Sequence, residues 1–187
     1  MRDVKLICID ADNIVREPGQ GDGKKQIKSF HLGVAILDTR DIRDVVNRQY
    51  KLDTPSDLIQ TYQFAVEDSV PQVEHFYFGD TEAIFAQDLK AKVVAWQEGR
   101  DIVSVAYSAH HDLFILKDFG IYLNHAFCID LAQAQYIPFQ SAIVLSLAVI
   151  MNRLSIRYHG RLHIQGNDAH YTLRTLLGLA ALDFYRE

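Results

Sequence analysis

The sequence predicts an α/β fold built on one mixed, five-stranded sheet with helices on both faces. Strand-like apolar runs alternate with helical patterns in the order β-β-β-α-β-α-β-α-α, and the parallel strands in such an order need helical crossovers. A chain of 187 residues, with 49% apolar and 23% charged residues, has the size and composition of one globular domain. We therefore expect a single domain over residues 1–187.

The first three strands are expected to form an antiparallel meander. The run VKLICIDAD at residues 4–12 is almost entirely apolar until it reaches two carboxylates, which is typical of a buried strand. The runs SFHLGVAILD at 29–38 and TYQFAVE at 61–67 are rich in aromatic and β-branched residues and predict the next two strands. Between the first two strands, residues 13–26 contain proline, glycines and lysines, and they predict a polar loop.

The second half of the chain alternates helices with strands. Residues 81–98 predict an amphipathic helix that ends at Gly99. Its apolar positions are Ile84, Phe85, Leu89, Val93, Val94 and Trp96. The elements that follow are a strand at 101–107, a short helix at 110–120, a strand at 126–130 and closing helices at 141–154 and 168–185. Added to the meander, this is the element order of an RNase H-like fold.

Charge, cysteines and hydropathy exclude several kinds of protein. The net charge of −5 argues against a broad basic surface for duplex nucleic acid, so nucleic-acid contacts should be local or metal-assisted. Cys8 and Cys128 lie in apolar runs that should not be neighbouring strands, which indicates free thiols in a reducing compartment. The longest apolar run, residues 142–151, is too short to span a bilayer. We expect no membrane association and a cytoplasmic or nuclear location.

Carboxylates from three segments are expected at one edge of the sheet. Asp10 and Asp12 are one residue apart and leave the same face of the first strand, where two like charges repel each other unless a cation lies between them. Asp112 follows a second buried strand, and Asp168 lies where the last helix begins. Two alternatives remain open at this point: Asp10 and Asp12 could both be solvated, and Asp112 could cap a short helix.

Carboxylate oxygens in this number suit Mg²⁺ or Mn²⁺ better than zinc, which favours sulfur or several histidines. Two such ions about 3.5 to 4 Å apart could hold the attacking and leaving oxygens of a phosphodiester displacement. His163 lies five residues before Asp168 in LHIQGNDAHYTL, and an imidazole there could take the proton from the attacking water. The alternative is simple capping, with Asn167 or Asp168 accepting backbone N–H bonds and His163 an ordinary loop residue.

The set Asp10-x-Asp12, Asp112 and His163-x4-Asp168 resembles the DnaQ-like DEDDh family of 3′-to-5′ exonucleases over nearly the whole chain. The H-x4-D spacing is the most specific element of this resemblance. The resemblance implies an RNase H-like fold and two divalent metal ions held by the four aspartates. It also implies that His163 is the general base.

Four further stretches look like a fungal branch of that family, which includes a yeast protein implicated in mRNA export. They are LDTRDI at 37–42, FYFGDTEAI at 76–84, IDLAQ at 129–133 and LHIQGNDAHYTLRTLLGLA at 162–180. Three features depart from the family pattern. Asp12 stands where the family usually has Glu, AYSAH replaces a turn that usually bears His or Asn, and SFHLG replaces TEIG. The first departure affects metal geometry directly, and the second could alter the substrate channel near Tyr107.

Six residues are candidates for substrate binding: Asn13, Ile14, Lys24, Lys25, Tyr107 and Phe114. Lys24 and Lys25 form a small basic cluster placed to meet a phosphate backbone, although a solvated loop explains them as well. Ile14 and Phe114 could flank the terminal base, with burial in the core as the alternative for Phe114.

The leading hypothesis is a metal-dependent exonuclease that removes nucleotides from the 3′ end of single-stranded RNA or DNA, with RNA slightly favoured. The alternative is a catalytically weak relative that binds RNA or a protein partner as an adaptor in mRNA handling. Retention of all five site positions favours the enzyme, and the replacement at Asp12 favours the adaptor.

Overall fold

The computed structural model describes residues 3–18, 25–46, 58–71, 75–108 and 110–184. Within these ranges the strands form one six-stranded sheet in the order β4-β3-β2-β1-β5-β6. The strands are β1 (Val4–Pro18), β2 (Lys25–Asp38), β3 (Gln60–Val66), β4 (Thr81–Ile84), β5 (Asp101–Ala106) and β6 (His125–Asp130). The helices are α1 (Thr39–Val46), α2 (Ala86–Gln97), α3 (His110–Asp118), α4 (Leu131–Ala134), α5 (Tyr136–Phe139), α6 (Leu147–Arg153) and α7 (Gln165–Phe184).

The predicted α/β, RNase H-like fold is confirmed. Strands β1, β2 and β3 pair antiparallel as a meander, while β5 and β6 join the other side of β1 in parallel. The sheet has six strands rather than five because residues 81–84 extend along β3 as a parallel edge strand. The predicted helix therefore starts later, at Ala86, and Phe85 is its N-cap residue.

The predicted polar loop at 13–26 is also wrong in part. Residues 13–18 and 25–26 continue β1 and β2 as a long hairpin, paired out to Pro18 and Lys25, with register shifts after Asp12. Ile27 is buried at the base of this hairpin, which gives the extension one apolar anchor. Helix α6 begins at Leu147 rather than at 141, α7 begins three residues earlier than predicted, and α1 was not predicted.

Two apolar layers cover the two faces of the sheet, because alternate residues of β1 point to opposite sides. Ile7 and Ile9 pack in one cluster with residues of α2 and α3, including Leu89 and Ile115. Cys8 packs in the other cluster, which contains residues of α6 and α7. Helices thus lie on both faces, as the sequence predicts.

Both cysteines are free thiols, on the non-adjacent strands β1 and β6. No helix in the described ranges combines the length and the apolar character that a membrane crossing needs.

Candidate active site

Asp10 and Asp12 lie within β1, at the level where its parallel neighbour β5 ends. The pairing of β1 with β5 stops at Cys8, whereas the pairing with β2 continues through Asp10 opposite Gly33 and Asp12 opposite His31. Side chains two residues apart share a face, so both aspartates continue the α7 side on which Cys8 packs. Asp10 is partly buried and Asp12 is exposed. Asp10 is therefore not a solvated residue beyond the end of a strand.

Asp112 is held against β1 from the α3 side. It is the third residue of α3, its side chain is 5% exposed, and its Oδ1 accepts a hydrogen bond of 3.1 Å from the backbone N–H of Ala11. Ala11 lies between Asp10 and Asp12, so this bond fixes the third carboxylate beside the first two. Asp112 is not the N-cap of α3, because the helix already begins at His110.

Asp168 lies in the first turn of α7, and its backbone N–H donates to Ile164 O at 2.9 Å. Its Oδ2 accepts a bond of 3.0 Å from the backbone N–H of His163, which has a left-handed φ of 68°. The capping alternative thus accounts for one carboxylate oxygen. The other, Oδ1, is buried without a hydrogen-bond partner among the described residues. An unsatisfied carboxylate oxygen is costly, so this atom indicates a missing cationic or donor group.

Gly33 lets the start of α7 approach β2 closely enough to bring Asp168 to this site. A Cβ atom at Gly33 would lie 1.9 Å from Gln165 O and 2.3 Å from Gly166 N, so no other residue fits without moving the helix. Since Gly33 pairs with Asp10, the close approach occurs at the level of the first carboxylate. This glycine lies within the SFHLG departure noted in the sequence.

Gln63 fixes the same helix end from β3. It lies opposite Gly33 in the β2–β3 register and is 1% exposed. Its Oε1 accepts from Gly166 N–H, and its Nε2 donates to Gln165 Oε1 at 3.1 Å. Sequence reasoning missed both glutamines; the only signal is a glutamine inside the apolar run TYQFAVE.

The carboxylates perturb one another. Burial raises the pKa of Asp10 to about 8, and the charges of Asp112, Asp168 and Asp12 raise it further. Burial likewise raises the pKa of Asp112 to about 7 and that of Asp168 to about 6. The His163 N–H bond and the nearby imidazole act in the opposite direction on Asp168. Three segments that are distant in sequence therefore form one electrostatically coupled acidic cluster.

The donor set fits Mg²⁺ or Mn²⁺ in type and charge, since it consists of carboxylate oxygens that carry excess negative charge in one place. The buried Oδ1 of Asp168 needs a partner that a cation would supply. The interatomic distances do not yet form a coordination site: among the described residues, no three His, Cys, Asp or Glu side chains are arranged to hold a metal ion.

The candidate substrate residues lie at different distances from this cluster. Asn13 has a left-handed φ of 55°, and its Nδ2 lies 3.4 Å from His31 Nδ1. Ile14 is partly buried against the core. Lys25 pairs with Pro18 near the hairpin tip, six residues and roughly 20 Å along β1 from Asp12. Lys24 lies outside the described residues.

The two aromatic candidates differ in their freedom. Tyr107 is partly buried and its hydroxyl donates to the carbonyl of Leu145, which fixes the ring at the end of β5. Phe114 is 54% exposed on α3, two residues after Asp112, so its ring is not a core residue. The assignment of these side chains to substrate binding stays a prediction.

Several solved structures share the fold at low sequence identity. The nuclease domain of 3′hExo, a DEDDh family member bound to rAMP, matches with a TM-score of 0.56 and 14% identity over 97% of this chain and 92% of that one. A 3′-exonuclease solved for 3′-end-specific recognition of histone mRNA stem-loop gives 0.55 and 13%, over 96% and 64% of the two chains. Pop2p of S. pombe, in its Mg²⁺- and Mn²⁺-bound form, gives 0.53 and 15%, over 96% and 84%.

No curated protein matches the chain closely enough to serve as a relative. The resemblance to a fungal branch stays a prediction. The family model described as DNA polymerase III subunit epsilon-like, C-terminal domain, matches residues 6–179. This match spans the first carboxylate strand and most of α7, and with it all five predicted site positions. The chain therefore belongs to this DEDDh family.

Proposed function

We propose that the protein is a divalent-metal-dependent 3′-to-5′ exonuclease that hydrolyses phosphodiester bonds of single-stranded RNA or DNA. One observation carries the proposal: Asp10, Asp112 and Asp168 come from three separate elements into one coupled cluster, with His163 bonded to the last of them. Family membership and the shared fold support the same activity.

The residues that would hold the metal ions are Asp10, Asp12, Asp112 and Asp168. Two Mg²⁺ or Mn²⁺ ions bound there would stabilise the attacking and leaving oxygens of the displacement. Asp10 is central to this set, because the charges of the other three carboxylates all act on it. The Ala11 N–H bond orients Asp112 and leaves its second oxygen available.

His163 is the proposed general base. Its side chain is exposed at the mouth of the cluster, so a ring nitrogen can accept a proton from the attacking water and release it to solvent. Its backbone N–H donates to Asp168, so the base and one ligand move as a unit. The electrostatic effect of His163 on Asp168 indicates that the imidazole lies near the carboxylates.

RNA is the slightly favoured substrate. Two of the structures that share the fold were solved with rAMP or for recognition of a histone mRNA stem-loop, which supports an RNA 3′ end as the ligand. Discrimination of RNA from DNA depends on contacts to the 2′-hydroxyl. A cytoplasmic or nuclear location is part of the proposal, and free thiols on β1 and β6 are consistent with a reducing compartment.

The test is hydrolysis of a 12-nucleotide single strand in Mg²⁺ or Mn²⁺. A 5′-labelled strand should shorten progressively from its 3′ end, and a 3′-labelled strand should release labelled mononucleotide at once. Asp10→Asn should abolish both signals, whereas Asp118→Asn, which removes an exposed charge from the end of α3, should not. Binding of the strand without shortening in either metal would refute the proposal and favour the adaptor hypothesis.

A further inference from the structure

Two segments distant in sequence are packed together beside the start of α7. Asn167 is fully buried and joins them: its Nδ2 donates to His75 O at 3.0 Å and to Arg161 O at 2.8 Å, and its Oδ1 accepts from Tyr77 N–H at 2.9 Å. We call the exposed side chains on these segments the aromatic–arginine surface. It consists of Tyr77, Arg157, Tyr158, His159 and Arg161.

The aromatic part of this surface is exposed on a well-anchored backbone. The rings of Tyr77 and His159 stack with centroids 5.3 Å apart and an interplanar angle of 22°. Tyr77 is 56% exposed and Tyr158 is 40% exposed. Beneath them the buried Tyr171 hydroxyl accepts from His159 N–H at 2.7 Å and donates to His159 O at 3.0 Å. The backbone is held in place while ring faces remain open to solvent.

The charged part is positive in an otherwise acidic protein. Arg157 and Arg161 are both exposed, and neither forms an ion pair with a described residue. Asp80 is the acidic residue that follows in the segment of Tyr77. With a chain net charge of −5, two unpaired arginines within five residues are a local concentration of positive charge.

We propose that the aromatic–arginine surface binds single-stranded nucleic acid beyond the nucleotide held at the carboxylates. Exposed rings with nearby arginines form the combination that binds single strands, because each base has a face for stacking and each phosphate a charge to neutralise. The surface continues directly into the proposed base, since His163 follows Arg161 by two residues. This inference rests on the proposed function for the identity of the ligand.

The test measures binding in EDTA, where no hydrolysis occurs, with a fluorescent 12-nucleotide RNA at several salt concentrations. Arg157→Ala with Arg161→Ala should lower the slope of log K against log salt by about 1.4, which is about 0.7 for each phosphate contact. The corresponding double lysine variant should keep the wild-type slope. Tyr77→Ala should weaken binding about tenfold without changing the slope. Lys90→Ala with Lys117→Ala, which removes two exposed charges from α2 and α3, is the matched control.

A second substrate separates this inference from the proposed function. The p-nitrophenyl ester of thymidine 5′-monophosphate has no further nucleotides, so the double alanine variant should hydrolyse it at the wild-type rate. Wild-type affinity and salt slope in the double alanine variant would overturn the inference while leaving the exonuclease intact. If the wild type hydrolyses neither substrate, the proposed function fails, and arginine-dependent binding in EDTA would still support the surface.

Discussion

Replacing Asp10 by asparagine should raise the free energy of unfolding of the metal-free protein at neutral and higher pH. The folded wild type holds the Asp10 carboxyl among three other carboxylates, and burial with these charges raises its pKa to about 8 from 3.8. The folded state therefore favours the protonated form. An unfolded chain has no such preference, so the wild type loses stability as pH rises between those two values, and the loss is complete above the folded pKa.

The size of the effect follows from that interval. One pKa unit corresponds to about 1.4 kcal/mol, so three pH units between pH 5 and pH 8 cost the wild type at most about 4 kcal/mol. Asparagine does not titrate and avoids this loss, although its buried amide still needs hydrogen-bond partners. For a chain of this length 1 kcal/mol shifts Tm by roughly 2 to 4 °C. We expect Asp10→Asn to melt at least about 3 °C above the wild type at pH 8.

The assay is thermal unfolding followed by circular dichroism, in EDTA and in excess Mn²⁺, at pH 5 and pH 8. The advantage of Asp10→Asn should be smaller at pH 5 than at pH 8. In Mn²⁺ the order should reverse, because the cation neutralises the wild-type cluster and binds the variant weakly. Asp118→Asn controls for loss of one exposed negative charge. An unchanged Tm at pH 8 in EDTA would show that the carboxylates do not destabilise one another.

Three further predictions concern single residues. His163→Ala should reduce turnover roughly 10²- to 10⁴-fold, measured on the 12-nucleotide RNA, while Mn²⁺ affinity by calorimetry stays close to wild type. The wild type should hydrolyse RNA faster in Mn²⁺ than in Mg²⁺, because the short Asp12 side chain distorts the octahedral geometry that Mg²⁺ demands; initial rates of Asp12→Glu should gain more in Mg²⁺, and a tenfold gain corresponds to about 1.4 kcal/mol. Gln63→Leu should weaken Mn²⁺ binding several-fold by releasing the start of α7, whereas Thr61→Val, which removes a bond from the same strand to His170, should leave it unchanged.

Each of these predictions has a distinct contrary result. Loss of Mn²⁺ binding in His163→Ala would make His163 a ligand rather than a base. Slower hydrolysis by Asp12→Glu in both metals would show that the backbone is adjusted to the shorter acid. Equal Mn²⁺ affinities in Gln63→Leu and Thr61→Val would mean that the glutamine contributes only to stability.

The local parts of the site could be predicted from the sequence because local patterns determine them. The strand that carries Asp10 is apolar on both faces, and the helix that carries Asp168 has a long apolar stripe, so both elements are evident from periodicity. The spacing of His163 and Asp168 is likewise local, and the bond between them spans five residues. The exposure of Phe114 was not evident, since a short helix with many apolar residues does not show which of them lacks a covering layer.

The extended hairpin could not be predicted because local composition opposed it. Pro18 and the glycines that follow favour a loop, and turn residues normally outweigh a short polar strand. Cross-strand pairing decides the outcome instead: Val15 pairs with Ser29, and Lys28 lies 3.8 Å from Glu17 across the hairpin. The edge strand β4 was missed for a related reason, since its four residues precede a helix and continue its apolar pattern.

The convergence of Asp168 with Asp10 depends on contacts that no sequence pattern reveals. Gly33 removes the side chain that would block α7, and Gln63 binds the backbone that the close approach would otherwise leave unsatisfied. Either contact alone is incomplete, because a gap without the hydrogen bond would bury an orphan Gly166 N–H, and the hydrogen bond cannot form without the gap. The metal affinity of this site is therefore set partly by two strands that contribute no carboxylate, and substitutions in β2 or β3 should change it while all four aspartates remain in place.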